Sequence, residues 1–398
     1  MEVKYAIIGS GVAGHTAAKE IRKHDGEGSI VILGREHERP YYRISLTETL
    51  GAPETDNRYL VAEDWYEKEG IELKTDALVD ALDFEERTIH LSTGELIHFE
   101  SLLLATGAHS FIPPIEGADK EGVFALRSYD DLLEIRQYLE HANRVAVIGG
   151  GVLGIEAANS LKALDKDVCI VESFDYVLGR QLDREMGLEC NEKLHDMGFD
   201  VHVGIQTASI DGDEKVTGIT FADGSTMEVD AVLISAGVRP TLDLVKDSPL
   251  KVERGIVVNE HLETNVPGVY AAGDVAQING QTMGLWTAAM EMGKVVGAQM
   301  AGDKSATYEV PKLFTRLKMK NLQIFSAGDV SNFQEAYGYD NEETGEKHRI
   351  YLTDGVITGG VLTGNLSKMN ALKGLVFDHK SLEDARELYD FKACEVKN

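Results

Sequence analysis

Cysteine is nearly absent. The 398 residues hold three, Cys169, Cys190 and Cys394, and none forms a CxxC pair. That excludes a disulfide framework and leaves no thiol set for zinc or an iron–sulfur centre. The usage predicts a reducing, cytoplasmic setting. Long apolar runs are missing too: none approaches the ~20 residues of a membrane-spanning helix, so no membrane role is expected. The first residues already read as a strand, which predicts no signal peptide. Basic residues are scarce, 39 Lys and Arg against 67 Asp and Glu, for a formal charge of −28. Such acidity opposes nucleic acid and anionic membranes as partners. By itself it describes only a well-solvated surface. The 12 histidines show no metal-ligand spacing. His15, His109 and His195 are expected to be surface or packing residues, and no metal site is expected.

Glycine is what the chain has in quantity, 40 residues. Twelve positions carry two copies of one pattern: Gly9-Ser10-Gly11-Val12-Ala13-Gly14 and Gly149-Gly150-Gly151-Val152-Leu153-Gly154. A lone G-x-G-x-x-G is a weak signal. Here each copy follows an apolar β-rich run, Val3 to Ile8 or Arg144 to Ile148, and opens a helical one. In that context the first glycine permits a tight turn. The second lets a pyrophosphate approach the backbone, and the third packs helix on strand. Phosphates then lie at the positive end of a helix. Helices are expected from Ala13 to about His24 and from Val152 to Leu164. Strands are expected at Ile30–Leu33 and Val168–Val171. Each copy thus forms a βαβ unit, and two units imply two dinucleotides with electrons passing between them.

The predicted fold class is α/β: two Rossmann-like dinucleotide-binding domains plus a small C-terminal α/β domain. The first domain is discontinuous, residues 1–110 and 240–305. The second is inserted as residues 111–239, entered through the proline-stiffened Phe111-Ile112-Pro113-Pro114 and left near Gly237 to Thr241. A helix is expected from about Leu285 to Met300. Residues 306–398 read as short alternating strands and then a helix from Ser381 to about Tyr389.

Further motifs carry a resemblance. Leu104-Ala105-Thr106-Gly107-Ala108 followed by Pro113 to Gly117, and Thr264 through Tyr270-Ala271-Ala272-Gly273-Asp274, resemble segments of the two-dinucleotide flavoprotein reductases. Arg39-Pro40-Tyr41-Tyr42-Arg43, Asp64 to Lys68, Ser128 to Asp131 and Arg180 to Arg184 resemble the NADH:rubredoxin oxidoreductases of the FAD/NAD-dependent pyridine nucleotide-disulfide oxidoreductase superfamily. The related nitrite reductase large subunits share some of these.

The resemblance implies FAD on the first domain and NADH on the second. It implies FAD contacts from the first fingerprint, Gly9, Gly11, Ala13 and Gly14, and from Arg35, Ala105, Thr106, Gly107, Arg127 and Gly273. Asp274 would meet the ribityl chain, and Ala77 the adenine through its backbone. Arg43, Trp286, Thr287 and Lys318 would lie near the flavin. NADH contacts would come from Gly149, Gly151, Leu153, Gly154 and Gly237, with Glu156 beside the nicotinamide. Glu156 and Arg43 are the candidate catalytic residues. Glu36, soon after the second strand, is the candidate for the FAD ribose, against a plain surface role. Glu172 ends its strand where the nicotinamide nucleotide's ribose is read. A carboxylate there favours NADH over NADPH, although a nearby arginine such as Arg180 can hold a 2′-phosphate.

Disulfide reductases of the superfamily carry cysteine soon after the first fingerprint; this chain has none before Cys169. Glu48 stands where oxygenase-coupled ferredoxin reductases often carry lysine. With no thiol relay, electrons are expected to leave the flavin directly for an external acceptor. The resemblance implies rubredoxin or a similar small iron–sulfur carrier. Since such carriers are usually acidic and this chain is too, docking is expected at a local basic site, with Lys312, Arg316, Lys318 and Lys320 the candidate, against an ordinary solvated strand face. The rival readings are an NADH oxidase using dioxygen and a redox-responsive FAD/NADH-binding protein with little turnover. Too few cysteines remain for a siroheme nitrite reductase beyond its flavin module.

Overall fold

The computed structural model describes residues 1–52 and 58–394. The first glycine loop leaves β1 (Glu2–Ile8), buried from Tyr5 to Ile8, and enters α1 (Val12–His24). β2 (Ile30–Leu33) is buried at every position. Strands apolar on both faces belong inside a parallel sheet covered on each side. Two short helices, α2 (Leu46–Leu50) and α3 (Trp65–Lys68), precede β3 (Ile71–Lys74), which extends the sheet beyond β2. β4 (Val79–Asp83), β5 (Thr88–Leu91) and β6 (Leu96–Leu104) form an antiparallel meander, and the sheet runs β3-β2-β1-β6-β5-β4. β6 is long enough to serve two neighbours on one edge. Its start pairs with β5 and its end pairs in parallel with Val269–Ala271.

The chain leaves this sheet through β7 (Ala108–Ser110) and returns through Val238–Pro240; the two pair antiparallel as a ribbon. Between them lie β8 (Val123–Phe124), α4 (Tyr129–Leu139), β9 (Arg144–Ile148), α5 (Val152–Ala163), β10 (Asp167–Glu172), α6 (Arg184–Asp196) and β11 (Asp200–Val203). These strands and Ala231–Ile234 make a second parallel sheet, ordered β11-β10-β9-(Ala231–Ile234)-β8. Helices cover one face. On the other, Ile210, Ile219 and Phe221 of a three-stranded antiparallel sheet pack against Ala146, Cys169 and Val171.

The returning chain forms α7 (Trp286–Met300), which lies against α1. Gly293 and Gly297 set that closeness: a Cβ on either would stand 2.6 Å from the carbonyl oxygen of Ala13 or Ala17. Among the described residues, no helix is long and apolar enough to cross a membrane.

Beyond Phe314 the chain forms a six-stranded antiparallel sheet with α8 (Met369–Phe377) and α9 (Leu382–Arg386). Strand alternation sorts its core. Phe325, Ile350 and Leu362 face α8, while Ile324, Tyr351 and Val361 join the core of the second parallel-sheet unit. One face of Glu346–Thr353 also carries an ionic seam to α6. Lys347 Nζ meets Glu189 at 2.6 Å, buried Arg349 meets Glu185 at 3.2 Å, and the Tyr351 hydroxyl donates to Asp183 at 2.5 Å. α8 lies where strands were expected, because its mostly apolar run with a central Gly374 has no clear period. The last helix spans only Leu382–Arg386, started by a Ser381–Asp384 capping box.

Candidate functional site

Both glycine loops sit at the C-terminal edge of their sheets, where open α/β sheets bind ligands. Their packing repeats atom for atom. Gly9 has φ +114° and Gly149 φ +120°, conformations that favour glycine. A Cβ on Gly9 would lie 2.0 Å from the Ala105 carbonyl oxygen; on Gly149, 2.4 Å from that of Ser235. A Cβ on Gly14 or Gly154 would strike the carbonyl oxygen of Gly9 at 2.1 Å or of Gly149 at 2.0 Å. Those third glycines do not line the cleft; they pack beneath the loop as the helix presses on it. At Gly11 and Gly151 a Cβ would meet nothing within 4 Å. These two are the N-caps of α1 and α5, with no acid in either first turn. Each loop therefore offers open backbone at a helix N-terminus, which suits a pyrophosphate.

The two loops open on one continuous cleft of about 2170 Å³. Ala13, Ala105, Thr106, Gly107, Leu153, Gly237, Gly273, Trp286 and Thr287 all line it, as do Arg35 and Ala77. The Ala77 N–H already donates to Gly34, so an adenine contact there falls to its carbonyl. The Lys318 side chain lies outside the described residues. No described cysteine lines the cleft. Cys169 and Cys190 are buried, and burial pushes both thiols up to about 12, so neither is a ready nucleophile.

A charged chain crosses the cleft wall. Glu36 accepts from the Tyr41 hydroxyl at 2.6 Å and pairs with Arg43 Nη2 at 2.5 Å. Arg43 Nη1 donates to the Arg127 carbonyl. Arg127 in turn donates to Ala108 O at 3.0 Å and pairs with Asp274 at 2.7 Å. Tyr42 stacks on Trp286 at 5.8 Å. On the other loop, Glu172 accepts from the N–H groups of Gly150 at 2.7 Å and Phe174 at 3.0 Å, and from the Ser173 hydroxyl at 3.1 Å. Glu156 is half-buried. Burial raises its carboxyl above the ordinary range, and Glu48 adds to this against a 3.5 Å hydrogen bond from Thr47. Thr47 was not singled out in the sequence, although it follows Arg43 by four residues. Leu313 and Phe314 likewise bring the C-terminal sheet to the cleft, a contact that no local motif announces.

Residues 3–293 match the pyridine nucleotide-disulphide oxidoreductase model, and residues 313–380 match that of the rubredoxin NAD+ reductase C-terminal domain. This chain belongs to the pyridine nucleotide-disulphide oxidoreductases. The family binds FAD and NAD(P)H, and the two cradles with their open central glycines fit two such groups. The chain is 34% identical to a nitrite reductase of Bacillus subtilis over 96% of its own length, but spans only about half (48%) of that protein. It is 32% identical to an NADH oxidase of Methanocaldococcus jannaschii, covering 98% of this chain and 93% of that one. The crystal structure of the NADH:rubredoxin oxidoreductase of Clostridium acetobutylicum superposes with a TM-score of 0.85 at 29% identity, over 98% of this chain and all of that one.

Proposed function

We propose that this chain moves a hydride from NADH to FAD and then passes single electrons to rubredoxin or a similar small iron–sulfur carrier. The carrying observation is that both glycine loops face one cleft in which no described cysteine takes part. Bound there, the flavin supplies hydride acceptance and one-electron release. The protein's share is alignment and electrostatics. Residues 1–110 and 240–305 hold FAD, 111–239 hold NADH, and 306–398 help close the cleft. The N-termini of α1 and α5 each take a pyrophosphate. Asp274 accepts from a ribityl hydroxyl, with Arg127 fixing its carboxylate. Glu172 accepts from the nicotinamide nucleotide's ribose. Glu156 orients the nicotinamide, and Trp286, braced by Tyr42, excludes water. Arg43, held by Glu36, stands beside the flavin.

The match of residues 313–380 and the likeness to the Clostridium protein favour rubredoxin. The likeness to an NADH oxidase favours dioxygen as the second reading. Of the expected docking cations, Lys312 is already engaged by the Phe377 carbonyl at 2.6 Å, with Asp378 at 3.7 Å. Arg316 and Lys320 are exposed. Anaerobic rapid mixing with NADH, then with rubredoxin, ferredoxin or oxygen, tests the reading. Fast flavin reduction followed by faster exit to rubredoxin than to oxygen is expected; preferential exit to oxygen would overturn the carrier assignment.

A further inference from the structure

Single-electron exit leaves a proton behind. The balance is NADH + 2 carrier(oxidised) → NAD+ + 2 carrier(reduced) + H+. The hydride brings its hydrogen into the cleft, both its electrons depart to the carriers, and the proton must reach water. We propose that Glu156 is the base that receives this proton and that the exposed Glu48 beside it is the exit to solvent. The inference rests on the function proposed above.

The geometry is a facing pair of helices. α2 packs on α5 so closely that a Cβ on Gly51 would stand 2.6 Å from the Ser160 carbonyl oxygen. Thr47 of α2 thereby meets Glu156 of α5, and the charge of the next residue, Glu48, reaches it. The Glu156 side chain lines the cleft, and Thr47 Oγ1 holds its Oε2 at 3.5 Å. Glu48 is exposed and does not line the cleft. The two carboxylates thus step from cleft to surface.

Among the described residues, which do not include the Lys318 side chain, the other elements around Glu156 bring no competing partner. The strand Phe314–Met319 packs on α5 through buried Leu317 and Met319, and its Arg316 is exposed at the cleft wall. Arg144 at the start of β9 pairs with Asp167 and Asp200. Glu172 at the end of β10 is held by Gly150, Ser173 and Phe174. Among the described residues, the charge that acts on Glu156 is that of Glu48, and no cation does. A lysine at position 48 would keep Glu156 ionised and paired. A glutamate does the reverse, since a second negative charge disfavours the ionised form of Glu156. A carboxylate raised in this way accepts a proton more readily than an exposed one.

The test uses the FAD-loaded protein with 13C-carboxyl-labelled glutamate, Glu156→Gln assigning the signal. Glu156 should protonate at higher pH than the exposed glutamates. Glu48→Gln should move that titration down and Glu48→Lys further down. A pH-indicator dye then follows proton release when dithionite-reduced protein is mixed with ferricyanide. Release should slow on the order of 10²-fold in Glu156→Gln, at unchanged flavin content. Glu156 titrating with the exposed glutamates, indifference to both Glu48 variants, or release from Glu156→Gln at the normal rate would each overturn the inference. Neither measurement uses NADH, so failure of NADH to reduce the flavin would overturn the proposed function separately.

Discussion

The two dinucleotide units share a cradle and differ in their acids. In both, the first and third glycines are imposed by carbonyl oxygens about 2 Å from where a Cβ would stand, and the central glycine faces open space. The acid after the second strand is treated differently. Glu36 is tied to a cation, Arg43, and to the Tyr41 hydroxyl, so its charge is cancelled. Glu172 is held by two backbone N–H groups and a hydroxyl, all neutral, so its charge remains. On the proposed function, cradle geometry answers to the shared pyrophosphate and the acid to what each unit tells apart, since only the second then separates a free ribose from a phosphorylated one.

The largest effects should come from breaking the cradles. Gly9→Ala and Gly149→Ala each strain a positive-φ residue, at about 1–3 kcal/mol, and also displace a carbonyl. Both variants should lose several degrees of Tm, and Gly9→Ala should retain no flavin. Thermal melts and flavin absorbance check this. A normal melt with full flavin in Gly9→Ala would break the argument.

Adding a Cβ at the central glycine should separate binding from folding. Gly11→Ala and Gly151→Ala meet no protein atom, so the melts of flavin-free protein should match the parent. Gly11→Ala should lose FAD. Gly151→Ala should keep FAD and bind NADH at least tenfold more weakly in a flavin-quenching titration. Loss of flavin in both, or in neither, would show that the units are not divided as proposed.

The glycine loops were legible because local chemistry alone dictates them: a turn, an anion and a helix N-terminus within six residues. The cysteine-poor cleft was legible for the same reason, since a missing residue type needs no fold to interpret. The charged chain from Glu36 through Arg43 and Arg127 to Asp274 joins residues up to 238 positions apart, and no local pattern encodes such a meeting. The α6 seam was equally hidden. Lys347, Arg349 and Tyr351 read as an ordinary alternating strand face, and only the docking of two domains sets them against Glu189, Glu185 and Asp183. α8 was lost to ambiguous periodicity.

A buried histidine also divides the two units. His15 follows Gly14 on α1, where α5 carries Ile155; both positions are buried. His15 meets the Tyr66 hydroxyl at 2.7 Å, and burial lowers its pKa from 6.5 to about 4. The folded state then keeps it neutral where the unfolded chain would protonate it. The unfolded state binds more protons in that window, so stability rises with pH. The contribution is complete above about pH 6.5 and is lost as pH falls toward 4, on the order of 3 kcal/mol in all. Denaturant melts at pH 7 and 4.5 should show the loss, and His15→Gln should flatten it. Buried His348, likewise lowered to about 4, adds a similar slope in the C-terminal unit. A slope unchanged by His15→Gln would assign the acid sensitivity there instead.

The smallest expected effect tests the acids themselves. A 2′-phosphate brought beside Glu172 meets an uncancelled negative charge, whereas beside Glu36 it would meet a neutralised one. Glu172→Gln keeps an acceptor oxygen but removes that charge, so the preference for NADH over NADPH should narrow about tenfold, roughly 1.4 kcal/mol. Exposed Arg180 lines the same cleft and is free to favour the phosphate once the repulsion is gone; Arg180→Ala in the Glu172→Gln background should restore part of the preference. Glu36→Gln should leave the ratio alone, because its charge is spent on Arg43. Single-turnover flavin reduction by each nucleotide reads all three variants. A parent protein reduced equally by both nucleotides, or a ratio that shifts in Glu36→Gln as much as in Glu172→Gln, would erase the functional difference between the two units.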